Sequence, residues 1–188
     1  MRIISGTAKG KKLFLPLDKN TRPLKDIVRG SIFNILSHSD LLNSGLKDTI
    51  VLDLFSGIGS FGLEAISRGA AKVFFFENYE LAINILKKNL QKLSFINKSE
   101  IIKEDIYKEF IFKNLNCKFD LIFIDPPFKD ERLNHLLNNM IKSKILNSTT
   151  LIIIHRKKNE NINFYEKFKI IREEKYGLSK IFFGKINF

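Results

Sequence analysis

The chain is poor in the residues that staple small folds or cage metals. Its only cysteine among 188 residues is Cys117, which excludes an intramolecular disulfide, a CxxC redox pair and a thiolate cage for zinc. A reducing, cytoplasmic setting is the expectation. The three histidines, His38, His135 and His155, show no ligand spacing and fall at predicted helix ends and a strand end. They are expected to be structural or solvated, and no metal is implied. Long apolar runs are scarce as well. MRIISGTAKGKK holds no uninterrupted segment of signal-peptide length, and runs such as LIII are far too short to span a bilayer. No membrane partner is expected. There is no repeat in the range of about 20 to 50 residues, no low-complexity tract and no Pro/Ser-rich linker.

Acidic charge is in the minority. Lys and Arg outnumber Asp and Glu by 32 to 20, for a net charge of +12, the balance of a protein that meets a polyanion, with nucleic acid the leading candidate. Taken alone, the charge fits a plain solvated lysine surface equally well. A chain of this length that is 44% hydrophobic can bury roughly 70% of its unfolded surface around one core.

What is present alternates. RIISG and KKLFLP around TAKG read as an N-terminal hairpin, studded with Lys9, Lys11 and Lys12. TRPLKDIVRGSIFNIL reads as a helix opened by proline, with Val28, Ile32, Ile35 and Leu36 on its apolar face and Lys25 and Arg29 on another. From Ile50 the strands IVLDLF, AKVFFFE, SEIIKED, KFDLIFID and TTLIIIH are separated by the helices SFGLEAISRG, YELAINILKKNLQKL, EDIYKEFIFKNL and ERLNHLLNNMIKSKIL. Such alternation predicts parallel strands with crossover helices on both faces. KFKIIREEKYG and KIFFGKINF read as an antiparallel pair closing one edge, for a main sheet of about seven strands. The expected division is an extension over 1–48, a candidate RNA contact, and a catalytic domain over 49–188.

GIGSFG, residues 57–62, is a GxGxxG loop after a strand and at a helix start, and Glu77 lies 20 residues past Gly57 at the end of the next strand. Glycines let backbone approach a ligand, and an acid at that strand end can accept hydrogen bonds from both ribose hydroxyls. Asp53, four residues before Gly57, separates two cofactors. A carboxylate there repels the diphosphate of a dinucleotide and suits the ammonium of a methionine moiety, so S-adenosylmethionine is favoured over NAD, with a ligand-free turn as the bland alternative. Asp105, at the next strand end, is a weaker candidate for the adenine amino group.

FIDPPF places Asp125 at a further strand end. Two prolines supply no backbone donors and hold the preceding residues extended, so the chain leaves the sheet rigidly. An exocyclic nucleobase amine is a poor nucleophile. Hydrogen bonds from it to the Asp125 carboxylate and the Pro126 carbonyl would aim its lone pair at a sulfonium methyl, Asp125 could take up the released proton, and Phe128 offers a face for an extruded base. Alone, DPPF is as readily a proline turn capped by a core phenylalanine; beside VLDLFSGIG and Glu77 that reading recedes.

Together these residues resemble the RsmD-like bacterial methyltransferases, which modify the N2 amine of a guanine in 16S ribosomal RNA. The resemblance runs over nearly the whole chain: RIISG with KGKKL, TRPLKDIVRGSIFNIL, LDLFSGIGSFGLEAISRGA, Glu77, FDLIFIDPPF and KYG. It implies a class I methyltransferase, an α/β Rossmann-like sheet with helices on both faces plus the N-terminal hairpin and helix. It implies S-adenosylmethionine as donor and the 30S subunit or its assembly intermediate as substrate, with a monomer expected. Asp125, Pro126 and Phe128 are the catalytic candidates. Asp53, Phe55, Gly57, Gly59, Glu77 and Asp105 are the cofactor candidates; Arg2, Lys9, Lys11, Lys12, Arg22 and Arg29 are the RNA candidates. The chain departs from the family at Leu24 (usually Thr), Gly30 (usually Glu), Ser5 and Ile154. Transfer to adenine N6 or a protein amide, an NAD-dependent oxidoreductase and a non-catalytic assembly factor remain as alternatives.

Overall fold

The computed structural model describes residues 1–17, 24–42, 45–108, 111–127, 129–160 and 162–188. Among these residues the expected alternation resolves into seven strands, β1 (Ile50–Leu54), β2 (Lys72–Phe76), β3 (Ser99–Ile102), β4 (Leu121–Ile124), β5 (Leu151–Lys157), β6 (Phe168–Tyr176) and β7 (Ser179–Ile186). They form one sheet in the order β3-β2-β1-β4-β5-β7-β6. The first five strands are parallel, and β7 pairs antiparallel with both β5 and β6. β4 and most of β1 and β2 are buried on both faces, which is why they read as unbroken apolar runs.

Alternation along each strand splits the core in two. Val51, Val73, Phe75, Leu121 and Phe123 face α1 (Asp26–His38), α2 (Ser60–Ser67) and α3 (Glu80–Leu93). Leu52, Leu54, Phe74, Ile122 and Ile124 face α4 (Leu133–Lys142) and the turns after β3. Phe61 of α2 stacks between Phe33 of α1 and Phe123 of β4, with ring centroids 4.8 and 4.0 Å away. The N-terminal helix is thereby keyed to the strand that carries Asp125; truncating a buried phenylalanine of this kind costs about 3–5 kcal/mol.

Three expectations change. EDIYKEFIFKNL forms no helix among its described residues; it makes four-residue turns closed by Lys108 N–H on Asp105 O (3.0 Å) and Leu115 N–H on Phe112 O (3.1 Å). Ile106 and Phe112 both bury against the sheet, and that packing overrides a weak helical propensity. The N-terminal hairpin forms but is shorter than expected, an antiparallel bridge between Arg2 and Lys12 flanked by Ile3 N–H on Lys11 O (3.0 Å), Gly10 N–H on Ile3 O (2.9 Å) and Leu13 N–H on Met1 O (3.2 Å). Its loop also docks on α2, through Thr7 N–H on Ser67 O (2.7 Å) and Ala8 N–H on Ser67 Oγ (3.0 Å). Gly6 is required here: its φ is +83°, and a Cβ would lie 1.8 Å from the Ser67 carbonyl oxygen.

The third correction is Arg29, expected to contact RNA. Its side chain is fully buried: the guanidinium donates to the Arg2 carbonyl and to Asp26 Oδ1 (3.1 Å), with Nε 3.9 Å from Glu64 Oε2. Glu64 also accepts from Ile4 N–H (2.8 Å), Ser5 N–H (3.0 Å) and Arg68 Nε (2.7 Å). A buried guanidinium needs a carboxylate and carbonyls around it, and Arg29 ties the N-terminal segment to α1 and α2 instead of reaching solvent.

Candidate active site

The parallel strands deliver three acids to one end of the sheet. Asp53 is the fourth residue of β1, Glu77 follows β2 and Asp125 follows β4. β1 pairs with both β2 and β4, in a register that sets Leu54 opposite Phe76 and Ile124, so the ends come out side by side. All three acids line one cavity of about 590 Å³, within the range of small-molecule sites.

Asp53 is 1% exposed, and its Oδ2 accepts the Gly62 N–H at 2.9 Å. Burial holds its carboxyl well above the usual carboxylate range. The Gly62 bond opposes the shift, and the charges of Asp125 and Glu77 add to it. Glu77 ties the glycine loop down: Oε2 accepts Gly57 N–H (2.7 Å), and Oε1 accepts Asn78 N–H (2.9 Å) and Tyr79 N–H (2.8 Å). A carboxylate has about four lone-pair positions, so after these three bonds there is room for a ribose hydroxyl. Among the described residues, no cation forms an ion pair with Asp53 or Glu77.

Between them the chain turns sharply. Phe55 stands at φ +59° and lines the cavity, a strained conformation for an aromatic residue of the kind that clusters at functional turns. Gly59, at φ +79°, lies where a Cβ would come within 2.4 Å of Leu86. Gly57 lines the cavity beside Phe55, whereas Gly59 shapes the turn without lining it.

The opposite side of the cavity is built by the DPP turn. Asp125 N–H reaches Leu54 O at 3.4 Å, and Pro126 is buried while lining the cavity. The turn is then anchored from β5. Buried Arg156 donates to Asp130 O (3.0 Å) and Pro127 O (3.5 Å), and Asp130 N–H closes on Pro127 O (2.8 Å). Phe128 and Arg22, named from the sequence, lie outside the described residues.

The remaining candidates lie apart. Asp105 is exposed, its Oδ1 accepts Tyr107 N–H at 3.0 Å, and it is not among the residues lining the cavity; it closes the turn after β3 instead of joining the other acids. Arg2 and Lys9 line a second groove with Asp26, Gly30 and Asn34 of α1, and Lys11 and Lys12 are exposed nearby in the chain. The Cys117 thiol is pushed up by burial, which disfavours a thiolate. Among the described residues, no group of three His, Cys, Asp or Glu side chains is placed to hold a metal ion, and no helix is long and apolar enough to cross a membrane.

Sequence reasoning missed His155, Ser179, Leu24, Lys25 and Lys157, all of which line the cavity. His155 carried a usable signal, since it ends the apolar run of the strand next to the one that leads into Asp125. Ser179 did not, because its position depends on the antiparallel register that pairs it with Lys157.

A 3-2-1-4-5-7-6 sheet with a glycine loop after β1 and acids at the ends of β1, β2 and β4 defines a class I methyltransferase. The chain belongs to the RsmD-like family: the family model described as conserved hypothetical protein 95 matches residues 1–185. Ribosomal RNA small subunit methyltransferase D of Buchnera aphidicola subsp. Baizongia pistaciae is 36% identical over 161 residues, covering 86% of this chain and 78% of that protein. The Haemophilus influenzae protein of the same name is 30% identical over 179 residues, covering 95% of this chain and 90% of its own. The solved structure of the Escherichia coli protein yhhF superposes with a TM-score of 0.82 at 27% identity, covering 100% of this chain and 98% of that one.

Proposed function

We propose that this methyltransferase transfers a methyl group from S-adenosylmethionine to the exocyclic N2 of a guanine in 16S ribosomal RNA, within the 30S subunit or its assembly intermediate. It acts in the cytoplasm as a single copy. The observation that carries the reading is the sharing of one cavity by Asp53, Glu77 and Asp125. Two of these acids form no ion pair among the described residues, so the cavity favours a cationic ligand that brings an ammonium and hydroxyls. The relatives' names support ribosomal RNA of the small subunit as the acceptor.

The donor supplies an electrophilic methyl on a sulfonium. Asp53, at the buried end, meets its ammonium, and Glu77 meets its ribose while holding the Gly57 amide. Asp125 and the Pro126 carbonyl accept the two N–H bonds of the guanine amine and aim its lone pair at the methyl. As the N–C bond forms, the C–S pair leaves with sulfur, and the amine's surplus proton passes to Asp125 or to water. Lys9, Lys11 and Lys12 supply cations for the RNA backbone; Arg2 and Lys9 flank the groove along α1.

The test is nucleoside mass spectrometry after incubating labelled donor with small-subunit particles from cells lacking the enzyme. The expected product is N2-methylguanosine. Label on adenine N6 or in protein would replace the acceptor, and no transfer would overturn the reading.

A further inference from the structure

Acids at strand ends are usually steadied by the amides that follow them. Glu77 takes the N–H groups of the next two residues, and Asp105 takes that of Tyr107. Asp125 is followed by two prolines, which have no N–H to give. A carboxylate that must aim a weakly nucleophilic amine would then be free to rotate, unless something else holds it.

The sheet provides that hold. β4 and β5 run parallel with Ile124 opposite Ile154, so the next residues on each strand, Asp125 and His155, emerge side by side. His155 Nδ1 lies 2.7 Å from Asp125 Oδ1, and His155 Nε2 lies 2.9 Å from Ser179 Oγ, brought there by the antiparallel pairing of β7 with β5. His155 is 7% exposed and Ser179 9%. A bare ring nitrogen and a carboxylate oxygen are both acceptors and cannot approach this closely without a proton between them. The Ser179 hydroxyl can donate to Nε2, which leaves the ring proton on Nδ1, pointed at Asp125.

We propose that His155, in the tautomer set by Ser179, is a positioning residue that engages Oδ1 of Asp125 and leaves Oδ2 to accept the hydrogen bond of the acceptor amine. This rests on the methyl-transfer reading of the site. The imidazole neither touches the methyl nor takes the final proton; it fixes the angle of the group that aims the nucleophile. Asp53 and Glu77, which hold the donor, are untouched by it.

The test compares the wild type with His155→Ala, His155→Asn and Ser179→Ala in steady-state transfer to small-subunit particles, with donor affinity measured separately by calorimetry. His155→Ala should lower kcat on the order of 10²-fold, the loss expected from a misaligned reacting group, while the RNA KM and the donor affinity stay put. His155→Asn, whose amide can donate from the place of Nδ1, should recover most of that loss, and Ser179→Ala should lose less than His155→Ala. Nitrogen NMR of histidine-labelled protein, with the signal assigned through His155→Asn, should show the His155 proton on Nδ1. Full kcat in His155→Ala, an Asn variant as slow as the Ala variant, or a proton on Nε2 would each overturn the inference while the wild type still transfers methyl groups. A wild type that transfers none would overturn the methyl-transfer reading and this inference with it.

Discussion

Glu64 and Asp53 are both carboxylates buried on the α1–α3 side of the sheet, 0% and 1% exposed, yet they are used in opposite ways. Glu64 is held from within, by two backbone N–H groups and Arg68, with the Arg29 cation beside it. Asp53 has the Gly62 N–H and a cavity, and its carboxyl is pushed well above the usual range because burial outweighs that one bond. A buried acid whose bonds are all made inside the chain is scaffold. One that faces a cavity with bonds to spare is set to receive a ligand's cation. The same split runs through the basic residues, where Arg29 is spent inside and Lys9, Lys11 and Lys12 are exposed.

The sharpest way to extend the comparison is to remove the acid on the acceptor side. Asp125→Ala should reduce methyl transfer by about 10²- to 10⁴-fold, measured in single-turnover assays, with donor affinity retained; a parallel loss of donor binding would move Asp125 to Asp53's role. Next comes the scaffold acid. Glu64→Ala leaves the Arg29 and Arg68 cations short of their carboxylate and should cost about 3–5 kcal/mol of folding stability, read from denaturant unfolding. A stability loss of the same size in Asp53→Asn would erase the distinction between the two acids.

Asp53→Asn should instead weaken donor binding by about 10- to 100-fold, the equivalent of losing a hydrogen bond to a charged group. Its pH signature follows from the raised folded-state value. In ligand-free protein, the stability linked to Asp53 is fully present below the unfolded carboxylate range and is lost as pH rises through the folded value. The wild type should therefore lose stability relative to Asp53→Asn across that window, and its donor affinity should climb over the same window as the ionised form takes over. A pH-independent difference between the two proteins would contradict this. The smallest effect belongs to the exposed cations. Replacing Lys9, Lys11 and Lys12 together by alanine should reduce the salt slope of single-stranded RNA binding by about 2, at about 0.7 per phosphate contact, and leave donor binding alone. An unchanged slope would release these lysines from the RNA.

Most of the sheet was legible because it rests on short-range signals. Buried parallel strands read as apolar runs, amphipathic helices show their stripe, and a GxGxxG loop with acids at strand ends marks the carboxyl end of the sheet. Asp53, Glu77 and Asp125 could be assembled from that pattern alone. What could not be read depends on packing. EDIYKEFIFKNL has helical spacing, and burial of Ile106 and Phe112 gives it turns instead. Arg29 looks like a surface cation until Glu64, 35 positions further along the chain, closes on it. Ser179 reaches His155 only through the register of an antiparallel pair, and Asp105 ends its strand in a turn that no local motif distinguishes from a ligand site.

The most direct measurement is a calorimetric titration with S-adenosylmethionine of the wild type, Asp53→Asn, Glu77→Gln and, as a control, the triple lysine variant. Three acids around one donor cavity predict a single site per chain, weakened in both acid variants and intact in the control. Wild-type affinity in both Asp53→Asn and Glu77→Gln, or no binding at all beside tight binding of NAD, would contradict it.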